Sequence, residues 1–185
     1  MLTYHRHNLP TDINIISIDS LKSFLKVDTT EDDALILALL STARAYVEDY
    51  TGVMCNTGQV DYYGESFTDF RFTAGPVTTL TSVGYKTDTT TYATLGAANY
   101  AFSSKSIPQR LEFYTTPTPY DKTLERVKVI TTTGYGETAV PAPLVQAMRL
   151  LIGHWYEQRT QVIVGTITAQ IPQGIHALLN PYRIL

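Results

Sequence analysis

The chain has 185 residues, of which 44% are hydrophobic and 17% charged, and its formal net charge is −3. That length suits one domain with room for an insertion, and the composition excludes a disordered chain, because enough apolar area can be buried to offset chain entropy. The mild acidity excludes a general nucleic-acid coat. The single cysteine, Cys55, excludes an intrachain disulfide framework and a multi-cysteine zinc site, and no apolar run reaches the roughly 18 residues that span a bilayer.

The first residues, MLTYHRHNLP, lack the apolar stretch of a signal peptide, so the expectation is a soluble protein made in a reducing compartment. Residues 1–18 read as an extended arm, with Pro10 and Asp12 breaking any helical period and Ile13, Ile15 and Ile16 available to a strand or a neighbour. A short helix is predicted over 19–27, capped by Asp19 or Ser20, with Leu21, Phe24 and Leu25 on one face. A longer helix is predicted over 31–51. Thr29 or Thr30 would be its N-cap, Glu31, Asp32 and Asp33 would complement the dipole of the first turn, and Gly52 would end it in a left-handed conformation. Ile36, Leu40, Ala43, Val47 and Tyr50 form its apolar stripe.

From residue 56 to 135 the chain turns Thr- and Tyr-rich, both types suited to half-buried pleated surfaces. Strands are predicted at 59–63, 69–73, 78–85, 110–114 and 126–133, each bounded by Gly, Pro, Asp or Asn, and their spacing suggests an antiparallel insertion. Residues 115–124 (TTPTPYDKTL) read as a loop and Gly134-Tyr135-Gly136 as a turn. Helix returns over about 143–160, with Pro141 and Pro143 in its first turn and a stripe of Leu144, Met148, Leu151, Ile152 and Trp155. Trp155 is expected in the core. Residues 161–171 (QVIVGTITAQI) read as an apolar loop or hairpin, and 172–185 as a short helix and tail. The expected fold is α+β: mainly a helical bundle, built from 19–55 and 136–160, with two long helices, short N- and C-terminal helices, and an antiparallel β insertion over 56–135.

Chemistry-bearing patterns are few. No nucleophile elbow, phosphate-cradling glycine loop, C-x-x-C or H-E-x-x-H is present. His5 and His7 lack a third metal ligand. His154 and Glu157, at i and i+3, would need carboxylates from facing helices to bind metal. Cys55 follows a helix C-terminus, where the dipole raises a thiol's pKa. The expectation is therefore no catalysis, no metal and no cofactor, and a small hydrolase using His154 and Glu157 ranks last. The apolar segment 161–171 is costly to leave in water and marks a contact with another chain. Val162, Val164, Ile167 and Ile171 are its inter-subunit or neck-contact candidates.

The order of segments resembles the head–tail connector (adaptor) proteins of tailed bacteriophages. The similarity is carried by SLKSFLKVDTTEDDALILALLSTARAYVEDYTG (20–52), PVTTLTSVGY (76–85) and VKVITTTGYGETAVPAPLVQAMRLLIGHWYEQR (127–159), followed by Gly174 to Leu179 and then Tyr182 and Arg183. It covers most of 18–185; residues 86–125 match only in type. It implies a structural subunit of a virion neck that forms a ring, commonly of about twelve copies, beneath the portal. Such a ring extends the DNA channel and docks the next neck or tail protein. The helices would make the ring body and the β insertion its periphery. The C-terminal segment would reach the portal through Gly174, Leu178, Tyr182, Arg183 and Leu185. The resemblance does not name the lumen residues; the acidic positions at a helix start, Glu31, Asp32 and Asp33, are the candidates, on their charge alone. DNA would pass without specific binding, no membrane would be involved, and the subunit, made in the host bacterial cytoplasm, would be monomeric or loosely associated until it assembles on the portal. The alternative is another virion protein, such as a tail-completion or decoration protein.

Overall fold

A computed structural model of the chain describes residues 3–7, 15–68, 70–136, 139–158 and 173–184. The chain divides into two compact units, one of Asp12–Cys55 and Gly136–Arg183, the other of Asn56–Tyr135 with Met1–Thr11 and Ile184–Leu185.

The first unit is helical. Helix α1 (Ile18–Leu25) begins earlier than predicted because Ser17, in place of Asp19 or Ser20, is its cap. The Ser17 hydroxyl accepts from the Ser20 N–H at 3.3 Å. Helix α2 (Asp33–Thr51) starts later than predicted, and neither Thr29 nor Thr30 caps it; Asp32 holds the N-cap position without a side-chain cap bond. Its end is as expected: Gly52 sits at φ +75° and returns its N–H to the Glu48 carbonyl at 2.8 Å. Ile36, Leu40, Ala43 and Val47 are fully buried along one stripe, packed against α3 (Ala142–Glu157). Helix α3 buries Leu144, Ala147, Met148, Leu151 and Ile152 in return. Trp155, expected in the core, is only half-buried, because it lies in the last turn at the edge of that stripe. Helix α4 (Gln173–Leu179) docks through Ile175 and Leu179 and passes into a 3-10 turn, Asn180–Tyr182.

The second unit overturns the expectation of a mainly helical bundle. Among the described residues eight strands form two antiparallel sheets: β1 (Thr3–His7), β2 (Gly58–Gly64), β3 (Phe70–Arg71), β4 (Val77–Lys86), β5 (Tyr92–Thr94), β6 (Tyr100–Ser103), β7 (Arg110–Phe113) and β8 (Val127–Thr133). The larger sheet has the order β1-β2-β8-β4-β5 and the smaller β3-β7-β6. The fold is mixed α+β and rich in strand, and the strands enclose their own core of Val60, Tyr62, Phe70, Phe72, Leu111, Val127 and Val129. The helical weighting failed because β1, β5 and β6 are short or polar segments whose strand character comes from pairing, not from their own periodicity. Two polar groups inside this sheet are satisfied locally. Asp61 is buried against Lys128 at 2.7 Å and accepts from Gln59 at 2.8 Å, and the Thr131 hydroxyl donates to the Val60 carbonyl at 3.0 Å.

Candidate assembly surfaces

In the helical unit the C-terminal segment is tied to the end of α2 through Tyr50. Its hydroxyl donates to Asn180 Oδ1 at 2.8 Å. The His176 ring meets the Tyr50 ring edge-on at 4.9 Å, the Arg183 guanidinium lies 5.1 Å from the same ring, and Tyr46 stacks on it at 6.2 Å. Of the predicted portal-contact residues, Gly174 and Arg183 are exposed and Leu178 and Tyr182 half-buried, all on this one segment; Leu185 lies outside the described residues. The role of Tyr50 was missed, because the same residue also completes the stripe of α2. The signal available was the Tyr46–Tyr50 pair one turn apart.

The three acids predicted for the lumen have different fates. Glu31 is exposed. The Asp32 carboxylate accepts from the Tyr156 hydroxyl at 2.5 Å, and Asp33 pairs with Lys22 at 2.9 Å. These bonds explain why Asp32 caps no backbone N–H: its side chain is used to tie α2 to α3. Val162, Val164, Ile167 and Ile171 lie outside the described residues.

Cys55 is buried, and its backbone N–H donates to Glu48 Oε1 at 2.9 Å. Burial, reinforced by the Glu48 carboxylate and partly opposed by Arg44, pushes its thiol up to about 12. Desolvation, more than the helix dipole, is therefore the main cause. At pH 8 the thiol should resist alkylation in the native protein and react only on unfolding, which a labelling time course with and without urea will check. Rapid native labelling would show that the site opens locally. His154 is half-buried and Glu157 exposed. Among the described residues no group of three or more His, Cys, Asp and Glu could hold a metal ion, and no helix is long and apolar enough to cross a membrane.

Large apolar side chains do reach the surface. In the helical unit these are Phe24, Leu35, Leu37 and Leu150; in the β unit, Ile107, Tyr114 and Leu124. The profile of the head completion protein family matches residues 14–185, and the chain belongs to that family. The resemblance carried by its segments is thereby confirmed, and the protein is a structural head–tail connector subunit of a virion. No curated protein matches the chain. Among solved structures it is similar to a chain in the neck of an empty gene transfer agent (GTA) particle computed with C6 symmetry. The TM-score there is 0.76 at 21% identity, covering 100% of this chain and 96% of that one. It is also similar to a chain in the virion of a native gene transfer agent particle, with a TM-score of 0.77 at 21% identity, covering 98% and 95%. A third likeness is to a chain in the neck of a native GTA particle computed with C12 symmetry, with a TM-score of 0.75 at 22% identity, covering 100% and 96%. At these identities the likeness establishes the fold.

Proposed function

We propose that this chain forms a ring of identical copies in the neck of the virion, at the portal vertex, where it extends the DNA channel and receives the next neck or tail protein. Family membership over residues 14–185 carries this reading, and a fold shared end to end with chains from necks computed with C6 and C12 symmetry supports the ring. A ring needs one surface to meet a different surface on the next copy. A channel that passes DNA should not grip phosphates, and a net charge of −3 meets that requirement. Glu31 is the remaining candidate for a lumen position, since Asp32 and Asp33 are engaged within the helical unit. The segment 161–171 is a candidate contact to the neighbouring copy or the next neck protein.

The C-terminal segment is the proposed portal contact. Tyr50 holds it in place, and Gly174, Leu178, Tyr182 and Arg183 present its surface. Arg183→Glu combined with Tyr182→Ala should lower co-purification with portal by at least about tenfold, a loss of about 1.4 kcal/mol, while the monomer loses no more stability than the about 0.5–1 kcal/mol of the exposed Arg183–Tyr50 contact. Undiminished portal binding would remove this contact and leave the ring reading intact. Cryo-electron microscopy of purified necks tests the ring directly: necks with no ring of density for this chain would overturn it.

A further inference from the structure

Arg183 is the only residue with a formal charge between 173 and 184, and it is exposed. Among the described residues its guanidinium makes no ion pair and no hydrogen bond, and the Tyr50 ring, 5.1 Å away, is what holds it. Arg110 and Arg126 differ, because this chain supplies each with an acid: Glu112 at 3.4 Å and Glu65 at 3.6 Å.

The Tyr50 ring is a fixed platform. Its hydroxyl donates to Asn180 Oδ1 at 2.8 Å, the His176 ring meets it edge-on at 4.9 Å, and Tyr46 stacks on it at 6.2 Å. Asn180 and His176 belong to the same segment as Arg183. That segment therefore brings both the cation and two of the groups that immobilise the surface beneath it. A cation over an aromatic face is held by the ring quadrupole, which uses none of its N–H donors. Those donors form a planar fork that matches the two oxygens of a carboxylate or a phosphate. A polyanion such as DNA is gripped by several cations together, and residues 173–184 offer one. A single carboxylate needs one.

We infer that Arg183 receives a carboxylate of the portal and that Tyr50 is its positioning residue. This rests on the portal reading above and names the chemistry of the partner. The guanidinium reaches that partner already ordered by Tyr50, so less side-chain freedom is lost on binding.

Binding of the purified subunit to purified portal protein, measured over a salt series, tests the assignment. Arg183→Gln should weaken binding at least about tenfold at low salt and flatten its salt dependence. Arg183→Lys, a point charge without the fork, should recover only part of the loss. Tyr50→Leu should weaken binding in the parent but add nothing in the Arg183→Gln background, a non-additivity that a purely structural role would not give. Arg71→Gln is the control, since Arg71 is exposed and unpaired among the described residues but has no aromatic platform; it should bind like the parent. Portal binding that survives Arg183→Gln but falls with Tyr182→Ala would overturn the inference and leave the portal contact standing. Binding that survives both would overturn the portal contact, and the inference with it. A loss confined to the next neck protein, to a second copy of this chain or to DNA would assign the cation to another acceptor and also overturn it.

Discussion

Gly134→Ala is expected to prevent folding of the β unit. Gly134 follows directly after β8, whose last residue, Thr133, pairs with Gly58 of β2 on one side and Val77 of β4 on the other. The residue after it is pinched between the entries to those two strands. Its N–H donates to the Pro76 carbonyl at 2.8 Å, and its φ is +119°. A Cβ there would lie 2.1 Å from the Asn56 carbonyl oxygen and 3.0 Å from the Thr57 Cα. Those are backbone atoms at the start of β2, so they can retreat only by breaking the strand's register. Backbone strain of about 1–3 kcal/mol adds to that displacement, and a cost above about 4 kcal/mol follows. Gly96→Ala is the control. Gly96 has an ordinary φ of −63°, and the nearest atom to an added Cβ is the Asn99 amide nitrogen at 3.5 Å, so its stability should stay within about 0.5 kcal/mol of the parent. Soluble yield and urea midpoints of the two variants decide the matter. A Gly134→Ala protein with a parent-like midpoint would show that the strand entries yield more easily than their pairing implies.

Tyr62→Ala should be almost as damaging, and Tyr62→Phe separates the reasons. Tyr62 is fully buried in β2, with its ring edge-on to Phe72 at 4.9 Å. Its hydroxyl donates to the Ala74 carbonyl at 3.1 Å and accepts from the Ala74 N–H at 3.2 Å. One side chain therefore fills the core and satisfies both backbone groups of a residue that pairs in neither sheet. Removing only the hydroxyl strands two buried polar groups, at about 1–3 kcal/mol each. Removing the ring as well adds the about 3–5 kcal/mol typical of an aromatic deleted from a core. Against a total stability of about 5–15 kcal/mol, Tyr62→Ala should leave a marginal protein and Tyr62→Phe a clearly weakened one. Equilibrium urea unfolding gives both values. A Phe variant within about 0.5 kcal/mol of the parent would mean that Ala74 finds other partners.

The elements legible in the residues share one property: their signal is complete within a few positions. Strand β8 alternates buried and half-buried along Val127–Thr133, the pattern its residues imply. The stripe of α2 and its Gly52 end are equally local. The start of α2 was not legible, because the run TTEDD offers four residues able to cap a helix, Thr29, Thr30, Asp32 and Asp33, and its acids are equally acceptable in a first turn. The choice fell to Tyr156 and Lys22, which draw Asp32 and Asp33 into contacts with other helices. The C-terminal segment followed the same logic. Its residues announced a helix and a tail, but its anchor, Tyr50, lies 130 positions from Asn180.

Taken alone, the amino-acid sequence determined which segments are helix and which are extended over most of the described chain. It also determined the family, because the order of short motifs survives where their individual spacing says little. The tertiary structure decided that the strands form a unit with its own core and not an appendage of helices. It alone set the order β1-β2-β8-β4-β5, in which β2 and β8 lie beside each other although more than half the β region separates them. The physical reason is that periodicity and capping are written in neighbouring residues, whereas sheet order and exposure depend on which distant segment arrives to cover a surface.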